Sequence, residues 1–123
     1  TDITGFLFDA GQPTTHFNVV RERGEDPRCI RIDDAAPLFF LDKTVEKPGA
    51  LPRILILTAD NDMPGRLEQT QLLLNTMRRF GYDMSRVDFR LMEGFGHCGY
   101  IGAHDAAGES LYRAVVGGFI LGA

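Results

Sequence analysis

"RILILTAD", Arg53 to Asp60, is the stretch on which the fold turns. Ile54, Leu55, Ile56 and Leu57 follow one another with no polar residue between them, so neither face of a strand here is left for water. That pattern belongs to a strand covered on both sides, as in a parallel sheet, rather than to a half-solvated hairpin. Downstream, "NDMPGRLEQTQLLLNTMRRFGYD" (61–83) places Pro64 near a helix start. It spaces Leu67, Leu73, Leu74, Met77 and Phe80 at helical intervals, sets arginines in the last turn and stops at Gly81. "RVDFRLMEG" (86–94) sets Val87, Phe89 and Leu91 inward against Asp88 and Arg90 outward, and "AAGESLYRAVVGGFIL" (106–121) supplies a final amphipathic helix. The order strand, helix, strand, helix implies an α/β unit of two parallel strands joined by a right-handed crossover.

Upstream, the Pro/Gly punctuation of "EKPGALP" marks a boundary, giving a loop-rich segment over 1–48 and the α/β portion over 49–123. No sustained strand period is visible before it, and "TDITGFLFDAGQPTT" enters without an obvious strand or helix start. "THFNVVRERG" predicts a short helix closed by Gly24, "RCIRI" a short extended piece, and "DDAAPLFFLD" a helical turn or two capped by an Asp. Two parallel strands need neighbours on their edges and helices on both faces. The expectation is therefore the C-terminal part of a larger α/β domain, completed by a preceding portion or by a companion chain. No internal repeat completes it from within.

The composition is that of an ordinary globular chain: 123 residues, 44% hydrophobic, net charge −4, with Arg and Lys scattered rather than striped. A nucleic acid or an anionic membrane is therefore not expected as partner. The apolar runs are too short or too glycine-interrupted to span a bilayer, and no signal pattern opens the chain. Cys29 and Cys98 are too few and too far apart for a disulfide framework or a zinc finger. They leave the compartment undetermined.

The chemistry-bearing residues gather behind the two strands. "TADNDMPGR" (58–66) puts Asp60 and Asp62 just past the first, and "MEGFGHCGY" (92–100) puts His97 just past the second. Both therefore lie at the carboxyl edge of the sheet, where α/β proteins bind ligands. A carboxylate on one ring nitrogen would fix the tautomer of His97 and leave the other nitrogen as general base. Asp62 alternatively caps the helix that Pro64 begins.

From Pro52 to Tyr100 the chain resembles the last third of the α/β-hydrolase fold, in which the acid follows one core strand in a G-x-x-D-like turn and the histidine the next in a G-x-G-H-like turn. Ala59 stands where that family commonly has Gly, with Asp62 three residues later, and "GFGH" (94–97) matches directly. "GQPTTHFNVVRERGEDPRCIRIDDAAPLFFL" (11–41) resembles the cap-like segment of carbohydrate-ester and feruloyl-type carboxylesterases. The resemblance implies a serine carboxylic-ester hydrolase acting on a small ester without a cofactor. Asp62 and His97 would be its acid and base, and Asp60 the alternative acid. For the substrate pocket, Tyr100 is placed to lean over the site, and His16 either lines the pocket through the cap-like segment or is an ordinary surface histidine.

One element departs from that pattern. No G-x-S-x-G occurs, and the two serines, Ser85 at a helix–strand junction and Ser110 in the last helix, sit on no nucleophile elbow. Two-thirds of a triad is present, and the chain alone should be inactive. Cys98 adjoins His97 but points apart from it, as a small packing residue. His97, Cys98 and His104 fit no common zinc spacing, so no metal is expected. The competing functional class is a non-catalytic binding or regulatory fragment that pairs with another chain by its sheet edge.

Overall fold

The computed structural model of the chain describes residues 3–17, 30–42 and 52–122. Its centre is a parallel three-stranded sheet, in the order β1 (Gly5–Asp9), β4 (Arg53–Asn61), β5 (Val87–Gly96). β2 (His16–Phe17) and β3 (Ile30–Arg31) form a separate two-residue antiparallel ladder. Among the described residues, the helices α1 (Arg66–Arg79) and α2 (Leu111–Leu121) pack with the sheet in an α/β architecture.

The central strand explains the layering. Along β4, Ile56 and the half-buried Ile54 face α1, packing with Leu73, Met77, Tyr82 and with Leu38 and Leu41 from the turn beside it. Leu55, Leu57 and Ala59 face the other way, against Met92, Tyr100 and the half-buried Tyr112, Val115, Val116 and Phe119. A single strand thus feeds two cores, as the run "ILIL" requires. Each of Leu55, Ile56 and Leu57 is at most 1% exposed, and burial on that scale favours folding by about 1.5–3 kcal/mol per side chain.

β1 is the main correction to the sequence reading, which found no strand period before Lys47. Gly5–Asp9 pairs in register with Arg53–Leu57, so five residues from the segment read as loop extend the sheet to a third strand. Their partners lie some fifty positions away in sequence, and no local period marks them. The boundary expected near 48 falls outside the described residues. So do Asn18–Gly24 of the helix expected over 15–24, and within that stretch His16 and Phe17 are strand.

The turn in "DDAAPLFFLD" is a 3₁₀ helix, Pro37–Phe40, that starts from Ala36 without a side-chain cap. Asp33 instead accepts the Thr15 hydroxyl at 2.5 Å and the Ala35 amide at 3.0 Å, and the Thr15 bond holds its carboxyl below the usual range. In β5 the expected alternation holds for Val87 and Phe89, which pack on the α1 side. It fails at Leu91, 38% exposed, while Met92 is buried under α2. Coverage of both faces removes the reason for a strict inward–outward alternation.

α1 ends as expected. Gly81 adopts φ 83°, its amide bonds Arg78 O at 3.2 Å, and the Tyr82 amide reaches back to Met77 O at 2.9 Å. These are the two bonds of a Schellman motif, which needs a residue free to take a positive φ. The start of α1 differs from expectation: its N-cap is Gly65, and Asp62 makes no capping bond. The start is held to the sheet by a buried Thr58–Thr70 hydroxyl pair at 3.0 Å, with Thr70 also donating to Arg66 O at 3.0 Å.

Candidate active site

β4 and β5 run in step until Ala59 opposite Met92, and the next pair is Asn61 opposite Gly96. β4 advances two residues there while β5 advances four. In an uninterrupted ladder Asn61 would face Gly94, and His97 would lie two positions too far along. The irregularity instead makes Asp62 and His97 the next residues after a matched pair.

The extra residues free a backbone donor, and Asp60 takes it: its Oδ1 accepts the Gly94 amide at 2.8 Å, with Gly94 at φ 81°. Glycine takes that φ without the steric cost a Cβ would bring. Asp60, the alternative acid, is thus engaged with the backbone of β5 and not with the histidine.

His97 Nδ1 lies 2.8 Å from Asp62 Oδ1. The same oxygen accepts the Met63 amide at 2.6 Å, while Oδ2 is buried without a partner. The Asp62 side chain is 1% exposed and that of His97 43%. A carboxylate facing Nδ1 favours the tautomer with the proton there, which leaves a lone pair on Nε2. No described residue bonds Nε2. The arrangement can take a proton from a group presented to the ring and stabilise the imidazolium that results.

No protein-family model, curated protein or solved structure matches this chain. The chemistry of the site therefore rests on its own geometry.

Tyr100 is placed otherwise than expected. It does not lean over the site: it is fully buried, edge-on to Phe95 at 6.2 Å and stacked on Tyr112 at 6.4 Å, and its hydroxyl donates to the Asp9 carboxylate. An aromatic beside a glycine-rich turn fills the core here because α2 needs a partner on that face of the sheet. His16 lies in β2 opposite Arg31, and the pocket role expected of its side chain falls outside the described residues.

Cys98 adopts φ 56° and is half-buried. Burial first, then the carboxylates of Asp9 and Asp62, push its thiol up against an opposing pull from Arg66, so it stays protonated at neutral pH. His104 Nδ1 donates to Gly102 O at 3.1 Å. Among the described residues no three His, Cys, Asp or Glu side chains are grouped to hold a metal.

Neither serine is presented to His97. Ser85 bonds the Asp83 carboxylate at 2.6 Å at the opposite end of β5, roughly 30 Å away for a ten-residue strand. Ser110 is the N-cap of α2 rather than an interior residue, its Oγ accepting the Arg113 amide at 3.2 Å.

Two residues at this edge carried no sequence expectation. Asp9 ends β1, and the only local hint was its place after "FLF". Arg66, the first residue of α1, is 7% exposed with Nε and Nη1 unbonded. An arginine at a helix start normally reads as a surface residue, so nothing local marked its burial.

Proposed function

We propose that these residues form the acid–base half of a serine carboxylic-ester hydrolase of the α/β-hydrolase type, with Asp62 orienting His97 and His97 Nε2 acting as general base toward a serine supplied by another portion of the fold. The single observation that carries the reading is the 2.8 Å contact between His97 Nδ1 and Asp62 Oδ1 at the carboxyl edge of a parallel sheet. The proton released by an attacking serine would pass to Nε2, the acyl group would form an ester on that serine, and the imidazolium would return the proton to the departing alcohol. No cofactor enters this sequence of steps, and the substrate is a small-molecule ester.

The test is reconstitution. A preceding or companion segment bearing G-x-S-x-G is produced together with this chain and assayed on a short-chain aryl ester. Turnover that a serine-directed phosphonate stops, and that His97→Ala and Asp62→Asn each abolish, is the expected result. Turnover indifferent to both substitutions would reject the assignment.

A second reading, a binding or regulatory fragment that pairs by its sheet edge, is favoured by β1. That strand borders the sheet with Phe6 50% and Leu7 41% exposed. Apolar recesses of about 210 and 420 Å³ flank it, one walled by Leu41, Leu73 and Met77 and the other by Val116 and Phe119. An open edge between two such recesses is where a further strand and its helices would dock. The two readings agree on a completing partner and differ on whether it brings a nucleophile.

A further inference from the structure

Asp9 belongs to the strand farthest from β5, with β4 between them, yet its carboxylate reaches the segment that follows His97. Tyr100, three residues beyond His97, donates its hydroxyl to Asp9 Oδ1. Tyr112 of α2 stacks on Tyr100, its ring at 20° to that of Tyr100. Asp9 therefore ties β1 to the turn Gly99–Gly102 directly, and to the first turn of α2 through that stack. The histidine sits between two fixed points: Gly96, paired with Asn61, on one side and the buried Tyr100 on the other. Between them Cys98 holds φ 56°, a conformation that a non-glycine residue keeps only where its surroundings enforce it.

We infer that Asp9 is a positioning residue for His97, acting through the hydroxyl of Tyr100. Removing the anchor releases the turn and lets the imidazole swing away from Asp62, although neither Asp9 nor Tyr100 touches the ring. The titratable groups facing the Asp9 carboxylate are the Tyr100 and Tyr112 phenols and the Cys98 thiol, and the Asp9–Tyr100 pair stays joined while Tyr100 remains protonated. The inference goes beyond ester hydrolysis, because it concerns how the ring is held and requires no turnover.

The test is long-range ¹H–¹⁵N correlation spectroscopy on the whole ¹⁵N-labelled chain near pH 8. It reads the tautomer of His97 and the solvent exchange of its Nδ1 proton. The variants are Asp9→Asn and Tyr100→Phe, with Tyr82→Phe as control. Tyr82 is also a buried phenol, but its hydroxyl donates to Pro52 O, far from the histidine. Asp9→Asn and Tyr100→Phe should mix the tautomers and speed exchange about tenfold, the scale of one lost hydrogen bond, with Tyr82→Phe like wild type. Should Tyr100→Phe fail to fold, Asp9→Asn carries the test. An unchanged His97 in the anchor variants, or an equal change in Tyr82→Phe, would overturn the inference. The reconstitution assay can fail while this result stands, and the reverse, so the two proposals fall separately.

Discussion

Asp62 holds His97 with one oxygen only: Oδ1 lies 2.8 Å from Nδ1 and also accepts the Met63 amide, while Oδ2 is buried without a partner. Asp62→Asn keeps the shape but replaces a pure acceptor with an amide that can donate to Nδ1, which moves the ring proton to Nε2. If reconstitution yields the proposed ester hydrolysis, kcat should fall about 10³–10⁴-fold with KM little changed. A fall confined to KM would reject the orienting role.

Asp60, two residues earlier, should behave differently. Its bond is to the Gly94 amide, not to the histidine, so Asp60→Ala should cost about 1 kcal/mol of stability and shift the urea midpoint. The tautomer of His97 should survive. Loss of the wild-type tautomer at unchanged stability would return Asp60 to the dyad.

The chain by itself should not hydrolyse a short-chain aryl ester, because Ser85 and Ser110 are both committed to helix starts. Turnover that survives repurification and is abolished by a serine-directed phosphonate would contradict this.

Arg66 is buried with Nε and Nη1 unbonded, and a buried donor without a partner costs about 1–3 kcal/mol. Arg66→Met keeps the length and removes the charge, so the urea midpoint should rise by a comparable free energy. A lower midpoint at unchanged slope would show that the guanidinium stabilises this chain.

Stability should fall in alkali. Burial first, and the Asp9 carboxylate second, push the hydroxyls of Tyr100 and Tyr112 up, and burial pushes up Tyr82. The native state thus keeps protons that the unfolded chain releases. Stability is whole below the ordinary tyrosine value of 10.0 and is lost as pH rises above it. Denaturation midpoints across that value should show the decline, and Tyr100→Phe should flatten it; a flat wild-type profile would refute the assignment.

The open edge should make the chain self-associate. With Phe6 and Leu7 half-exposed on β1, light scattering should report species larger than one chain, and Leu7→Lys should reduce them, as a charge on an edge strand does. A wild-type monomer with cooperative unfolding would count against this.

What was legible in the sequence follows from range. "ILIL" revealed a strand covered on both faces because burial is written into consecutive residues, and Gly81 revealed the end of α1 because a positive φ selects glycine locally. The proximity of Asp62 and His97 could be anticipated because each follows its own strand at the same edge. β1 and the Asp9–Tyr100 bond could not be: the first depends on pairing with Arg53–Leu57, the second on partners 91 positions apart. Tyr100 looked like a pocket residue because sequence shows the glycines around it and not the helix packed over it.

The mismatch between β4 and β5 also sets how the site can tolerate changes of length. One residue inserted into or deleted from 93–95 would slide His97 by about 3.3 Å, a full strand step, more than its 2.8 Å contact with Asp62 can absorb. The exposed turn over 105–109, closed by Asp105 and with Gly108 at φ 85°, lies beyond Tyr100 and can change length without moving the ring. Natural or engineered indels should therefore be rejected in the first stretch and accepted in the second, a bias that can be read from a deletion library without any assay of chemistry.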